Sequence, residues 1–236
     1  ASIPIKGICK KIKSKYLIEH SINSLKKSKY VKKIIVSTDN DKTKKIVKKF
    51  GVQVPFLRSK KYSLPKIPLE KVQQYTINKI EKNFFIPDLF FHLEETFPFR
   101  EYNLIDNMID KLLNEGFDTV IAARKEFRVV WQDNVKEILT RIDSGDLPRK
   151  YKENMMIGYP GLGCVTYPEF IRNGKLLSDK WLLEYHSNKW NLQLGQPISV
   201  RQGYINLDIA TSVNSDGTHN YSNNKIKTNP NKKHLF

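Results

Sequence analysis

Residues 33–39 read Lys-Ile-Ile-Val-Ser-Thr-Asp, a hydrophobic run that ends in three small polar residues. A short continuous apolar run of this kind is typical of a strand buried on both faces of a sheet. Asn40 or Asp41 directly after the run can cap a helix, and Gly51 stops that helix. The stretch therefore predicts a buried strand followed by a helix, with polar groups at the carboxyl end of the strand.

Strands and helices alternate on both sides of this unit. Strands are predicted over 1–5, 33–37, 87–93 and 118–123, and helices over 16–27, 41–50, 69–82 and 104–113. This order predicts an α/β fold with three αβα layers, Rossmann-like, around a mostly parallel sheet. Ligands of such sheets bind at the carboxyl ends of the strands.

The second half of the chain is less regular. Strands are predicted over 129–132, 163–166, 198–201 and 204–208, and they suit a smaller antiparallel region that builds a homodimer. Residues 214–236 are rich in Asn and Lys, which predicts a polar tail after one domain over 1–213.

The composition restricts the class of protein. The chain has 236 residues and 39% hydrophobic residues, and no apolar run is long enough to cross a membrane. The two cysteines, Cys9 and Cys164, do not make a disulfide framework, which favours the cytoplasm. The net charge of +17 suits phosphorylated partners, but only 8 of the 41 basic residues are Arg, which argues against nucleic acid.

The loop after the first strand carries glycine and lysine. It reads Lys6-Gly7-Ile8-Cys9-Lys10-Lys11 and leads into the first helix. Backbone N–H groups and ammonium charges in such a loop can hold a triphosphate. Solvated lysines of a lysine-rich surface are the competing interpretation.

Two further strand ends carry polar side chains. Ser37 and Asp39 follow the second strand, where they either bind a ligand or only cap the next helix. Residues 93–100 read Leu-Glu-Glu-Thr-Phe-Pro-Phe-Arg. Two acids at the end of a buried strand are costly unless they bind a cation, a hydroxyl or backbone donors. Arg100 either pairs with these acids or contacts a ligand.

Several strings occur in an order that resembles a known family. They are Leu-Ile-Glu-His-Ser-Ile at 17–22, Ile-Ile-Val-Ser-Thr-Asp at 34–39, Val-Pro-Phe-Leu-Arg at 54–58, Thr-Phe-Pro-Phe-Arg at 96–100 and Asp-Leu-Pro-Arg-Lys-Tyr-Lys-Glu-Asn at 146–154. Together they resemble the acylneuraminate cytidylyltransferases over about residues 1–170. The resemblance implies the nucleotide-diphospho-sugar transferase-like fold.

The resemblance also implies an activity: CMP passes from CTP to a sugar acid of the sialic acid-like type, pyrophosphate is released, and Mg²⁺ assists. By this resemblance Lys6 and Lys10 stand at the Arg and Lys of the family's phosphate loop, and Glu94 stands at a Gln that faces the sugar. The remaining residues expected to contact substrate are Gly7, Ser37, Asp39, Arg58, Thr96, Arg100 and Arg149.

The sequence departs from the family in its first loop, which is shorter by about eight residues, and at the usual sugar-carboxylate arginine, where Ser144-Gly145 stands. The family's metal-binding Asp-x-Asp has two possible positions. Either Asn206-Leu207-Asp208 forms it, with Asp208 as catalytic residue and metal ligand, or residues 199–201 occupy the strand and the acids are absent. A homologue that binds without transfer, or another nucleotide-sugar transferase on the same fold, therefore remains an alternative.

Overall fold

The computed structural model describes residues 1–126, 129–133, 139–143, 145–148, 151, 155–178, 181–185, 210–213 and 219–221. The helices are α1 (Leu17–Lys26), α2 (Asp41–Lys48), α3 (Leu69–Asn83), α4 (Leu104–Asn114) and α5 (Pro168–Arg172), with a 3₁₀ turn at Lys60–Ser63. The strands are β1 (Ser2–Ile5), β2 (Lys11–Ile12), β3 (Lys15–Tyr16), β4 (Ile35–Thr38), β5 (Phe90–His92), β6 (Thr119–Glu126), β7 (Trp131–Asp133), β8 (Leu139–Arg141), β9 (Met155–Gly158), β10 (Cys164–Thr166), β11 (Trp181–Tyr185), β12 (Ala210–Val213) and β13 (His219–Tyr221).

Within the described residues, the central sheet has seven strands in the order β11-β6-β10-β5-β1-β4, and β9 also pairs with β6. Strand β1 runs parallel to β4 and β5, and β11 runs parallel to β6. Strand β10 is antiparallel to both β5 and β6, so β6 points the same way as β5. The predicted α/β fold with a mostly parallel sheet is confirmed.

Helices cover the sheet on both faces, as the alternation of buried side chains shows. One core cluster joins Phe91 of β5 and Val120 of β6 to α1 and α4, whose buried side chains include Ile22 and Met108. The neighbouring residues Phe90 and Ile121 belong instead to a cluster with Ile77 of α3 and Ile171 of α5. Because successive strand residues face opposite sides of a sheet, this division produces the predicted three layers.

The strand predicted over 163–166 belongs to the main sheet rather than to a separate region. The observed strand β10 lies between β5 and β6 and is antiparallel to both. Gly163, directly before β10, packs closely against Met108. A Cβ added at Gly163 would lie 2.9 Å from Met108 Sδ, so the position of the strand depends on a residue without a side chain there. The strands predicted over 198–201 and 204–208 lie outside the described residues.

The chain reverses its order of strands at β1. From β1 it passes through α1 to β4 on one side, and then through α2 and α3 to β5 on the other side. In open α/β sheets the crevice for ligands lies at such a switch point, beyond the carboxyl ends of the strands. In this fold that crevice lies between the loop after β1 and the segment after β5.

Candidate active site

The loop after β1 is held by three hydrogen bonds to the residue that follows β4 and to the first turn of α2. The Gly7 N–H donates to Asp39 Oδ1 at 2.9 Å, and the Cys9 N–H donates to Thr43 Oγ1 at 3.0 Å. The Thr43 hydroxyl in turn donates to the Gly7 carbonyl at 2.6 Å. Gly7 has a φ of 71°, which a residue with a side chain rarely adopts. These bonds fix the shape of the loop, and the Asp39 carboxylate contributes by accepting from its backbone.

Lys6 and Lys10 of this loop are both exposed at the carboxyl edge of the sheet. An anion from solvent can therefore reach both side chains. After Lys10 the chain turns back in a short hairpin of β2 and β3, with Lys13 at a φ of 53° in the turn. The shortened first loop is therefore a closed hairpin that returns directly to α1.

The segment after β5 brings two carboxylates to the same corner. Thr96 Oγ1 donates to Glu94 Oε2 at 3.1 Å, and His92 Nε2 lies 3.7 Å from Glu94 Oε1. The pKa of Glu94 is lowered, chiefly by His92, with burial opposing and Thr96 and Arg100 assisting. Glu94 is therefore an ionised carboxylate, and 31% of its side chain is exposed.

Glu95 has a different environment. Its Oε2 is buried and has no hydrogen-bond partner. Burial raises the pKa of Glu95 to about 7, and the charge of Lys10 opposes that rise. The carboxylate of Glu95 also raises the pKa of the Cys9 thiol, which is itself raised to about 11 mainly by burial. Glu95, which follows β5, thus lies close enough to the first loop for its carboxylate to interact with the charge of Lys10 and with the Cys9 thiol.

The structure places Arg58 and Arg100 beneath this corner, where both donate to protein carbonyls. Arg58 is 5% exposed, and its guanidinium donates to the carbonyls of Ser37 and Ile5 at 2.9 and 3.0 Å. Since Ile5 and Ser37 lie at the ends of β1 and β4, Arg58 ties these two strand ends together. Burial lowers the pKa of Arg58.

Arg100 is 9% exposed and does the same for the end of β5. It donates to the carbonyls of Leu162, Glu94 and Gly161 at 2.8, 2.6 and 3.1 Å. Its Nη1 also donates to Ser21 Oγ at 2.9 Å. These contacts hold the two arginines beneath the corner, so any contact with substrate depends on donors left over after the protein bonds.

Ser37 is fully buried, and its hydroxyl accepts from Thr76 Oγ1 of α3 at 3.0 Å. Thr96 is half-buried and directed to Glu94, as described above. The predicted residues Arg149 and Asp208 lie outside the described residues. The described part of the chain contains no group of three or more metal-ligating side chains.

Sequence reasoning did not single out a cation near this corner. Arg124, at the carboxyl half of β6, donates through Nε to the Tyr159 hydroxyl at 2.6 Å, and its Nη2 lies 3.1 Å from Glu126 Oε2. The Tyr159 ring packs edge-on against Phe97, which follows the two acids. The sequence did give one signal for Arg124: it directly follows Ala123, where the end of a strand was predicted.

The comparison with protein families decides the family. A family model described as cytidylyltransferase matches residues 3–157, well over half of the chain, including the loop after β1 and the segment after β5. This chain belongs to the cytidylyltransferase family. A comparison with curated proteins found no match.

Several solved structures share the fold of this chain. A 4-diphosphocytidyl-2C-methyl-D-erythritol synthase from Anaerococcus prevotii DSM 20548 has a TM-score of 0.57 at 12% identity, covering 87% of this chain and 96% of that one. A second synthase of that name has a TM-score of 0.57 at 13% identity, covering 88% and 99%. A CMP:2-keto-3-deoxy-manno-octonic acid synthetase complexed with CTP has a TM-score of 0.53 at 13% identity, covering 73% and 75%.

The comparisons support the family and the fold, while the acylneuraminate branch and its substrate remain expectations. No helix in the described part of the chain is long and apolar enough to cross a membrane.

Proposed function

We propose that this protein transfers CMP from CTP to a hydroxyl of an acidic sugar of the sialic acid-like nonulosonate class and releases pyrophosphate. The observation that carries the transfer from CTP is the cytidylyltransferase match over residues 3–157, which includes both sides of the corner at the switch point. The acceptor class rests on the resemblance of the sequence motifs to the acylneuraminate cytidylyltransferases. Solved relatives of the same fold include a CMP-sugar acid synthetase complexed with CTP, which supports the choice of nucleotide.

The chain's own residues supply positioning and charge for this reaction. Lys6 and Lys10 are exposed on a loop whose shape is fixed by Asp39 and Thr43, so their charges can hold the phosphates of CTP. The acceptor oxygen forms a bond to the α-phosphorus, the bond to the β-phosphate oxygen breaks, and the hydroxyl proton leaves to solvent or to a carboxylate. Fixed charges that meet a developing charge contribute much of the catalysis in such sites.

Mg²⁺ stays a proposed cofactor, with Asp208 as its predicted ligand outside the described residues. The described residues do not bring three metal-ligating side chains together at the corner. A homodimer and a cytoplasmic location are likewise proposals, which follow from the irregular second half of the sequence and from the cysteine content.

The test is pyrophosphate release from CTP in the presence of N-acetylneuraminate or 3-deoxy-octulosonate, with and without Mg²⁺. The proposal expects release that depends on the acceptor and is greater with CTP than with UTP. If CTP binds but neither sugar acid supports release, the protein is a binding homologue. The short hairpin of β2 and β3 and the use of Lys6 where the family has Arg favour that alternative.

A further inference from the structure

A chain of buried polar side chains crosses from β1 through α3 to β5 and ends at the candidate site. Ser2 Oγ donates to Gln73 Oε1 at 2.8 Å, and Gln73 Nε2 lies 2.6 Å from His92 Nδ1. Gln73 and His92 are fully buried, and Ser2 is 1% exposed. Buried polar groups are costly unless they are paired, so a connected chain of this kind must be explained.

One atom in this series of polar side chains lacks a hydrogen-bond partner. His92 Nε2 is buried without a hydrogen-bond partner, and it faces Glu94 Oε1 at 3.7 Å. This separation is longer than a normal hydrogen bond by less than about 1 Å. A small movement of the Glu94 side chain would therefore close the contact.

The orientation of the Gln73 amide fixes the tautomer of His92. Because Gln73 Oε1 accepts from Ser2, its Nε2 donates to His92 Nδ1, and the ring proton then lies on Nε2. The flipped amide would put the proton on Nδ1 and direct the bare Nε2 lone pair at the Glu94 carboxylate. Two acceptors would then face each other in a buried place, so the observed orientation is the favourable one.

Glu94 itself is held from several directions. Its N–H donates to the Gly161 carbonyl at 2.7 Å, and its carbonyl accepts from Arg100. Its side chain lies so close to Gly161 that a Cβ there would approach Glu94 Cδ to 2.8 Å. Thr96 binds the other carboxylate oxygen. Glu94 is thus a positioned, partly exposed group that can only accept hydrogen bonds.

We infer that His92 is a positioning residue: Gln73 holds it as the Nε2–H tautomer, and it fixes Glu94 as a hydrogen-bond acceptor for a hydroxyl of the second substrate. This inference rests on the proposed function for the identity of that substrate. An amide in place of Glu94 could donate as well as accept, whereas the carboxylate selects for a donor on the ligand. His92 acts through Glu94 and does not itself touch the ligand.

The tautomer can be tested without any activity. The protein is labelled with ¹⁵N-histidine, and the His92 signals are assigned by their loss in His92→Gln. We expect Nε2 to carry the proton in the wild type, and Gln73→Glu, whose carboxylate can only accept, to place a proton on Nδ1. Thr166→Val is the matched control, because Thr166 is a fully buried polar residue at the far end of the neighbouring strand β10, where its hydroxyl bonds Thr119 and the Asp118 carbonyl rather than the His92 group; it should leave the His92 signals unchanged. A proton on Nδ1 in the wild type, or a bare Nδ1 in Gln73→Glu, would overturn the inference.

The kinetic arm compares two replacements of His92 with N-acetylneuraminate and 3-deoxy-octulosonate as acceptors. Gln can place an amide N–H near the position of Nε2, whereas Asn is too short to reach it. We expect His92→Asn to raise the KM for the acceptor by about tenfold or more, while the KM for CTP changes less than about twofold. His92→Gln should keep a KM for the acceptor close to that of the wild type. Equal effects of the two variants, or equal effects on both substrates, would contradict the inference. Absence of turnover in the wild type would refute the proposed function instead, and the tautomer measurement would then decide the role of His92.

Discussion

Replacing Glu95 by Gln should stabilise the protein at alkaline pH. The Glu95 carboxyl is half-buried beside the first loop, with Oε2 buried and unpaired, and burial raises its pKa from 4.5 to about 7. The folded protein therefore keeps a proton that the unfolded chain releases between about pH 4.5 and pH 7. As the pH rises through this window, the ionisation of Glu95 opposes folding, and above it the full cost is present.

The magnitude follows from the two pKa values. At about 1.4 kcal/mol per pH unit, the difference between 4.5 and about 7 gives an upper bound of about 3 kcal/mol. The value of about 7 already includes the opposing charge of Lys10. Because Glu95 is partly exposed, screening by solvent reduces the cost to roughly 2 kcal/mol. Gln has the same shape and no charge, so it avoids this cost at every pH.

The assay is urea denaturation of the wild type and Glu95→Gln at pH 5 and pH 8. The two proteins should differ little at pH 5, and the variant should be more stable by roughly 2 kcal/mol at pH 8. Glu115→Gln makes the same change at an exposed residue and should alter the free energy of unfolding by less than about 0.5 kcal/mol at either pH. A wild type that equals or exceeds Glu95→Gln at pH 8 would refute the reasoning.

Two further substitutions test how the corner is built. Gly161→Ala should lower the free energy of unfolding by about 1–3 kcal/mol, because the new Cβ would lie 2.7 Å from Phe97 Cε2 and 2.8 Å from Glu94 Cδ. Unchanged stability in urea would contradict this tight packing of Phe97 and Glu94 against Gly161. Arg58→Met should cost about 3 kcal/mol or more, because it leaves the carbonyls of Ile5 and Ser37 without their buried donor. If Arg58→Met instead keeps its stability and loses only CTP affinity, Arg58 is a ligand residue and the packing argument is wrong.

Much of the fold was predictable because its signals are local. The apolar run at 33–39 and the alternation of strands and helices predict a parallel sheet with helices on both faces, and the structure confirms it. The helix predicted over 69–82 is observed at Leu69–Asn83. Periodicity carried these predictions, since it reports directly which face of each element is buried.

The place of β10 was not predictable from local pattern. Its insertion between β5 and β6 depends on long-range pairing and on the small residue Gly163 against Met108, neither of which appears in the periodicity of residues 163–166. Strand boundaries at β5 also differed, because Phe90–His92 is only the paired centre of the apolar run at 87–93.

The candidate site was predicted as a set of strand ends, and the structure adds what each side chain does there. Asp39 and Thr96 were predicted to contact substrate, and in the structure each makes a hydrogen bond to a protein group at the corner. The contacts of Arg58 with the ends of β1 and β4 depend on tertiary structure that the sequence does not display. The same is true of His92, whose partners Ser2 and Gln73 are distant in the chain.

The most direct test is calorimetric titration of CTP into the wild type and into a Lys6→Ala/Lys10→Ala variant. The control is Lys32→Ala/Lys33→Ala, which removes the same charge from exposed lysines just before β4, at the opposite edge of the sheet. If phosphates bind at the loop after β1, the first variant should lose at least about tenfold in CTP affinity and the control should bind like the wild type. Equal CTP affinity in all three proteins, or no CTP binding by the wild type, would contradict the account.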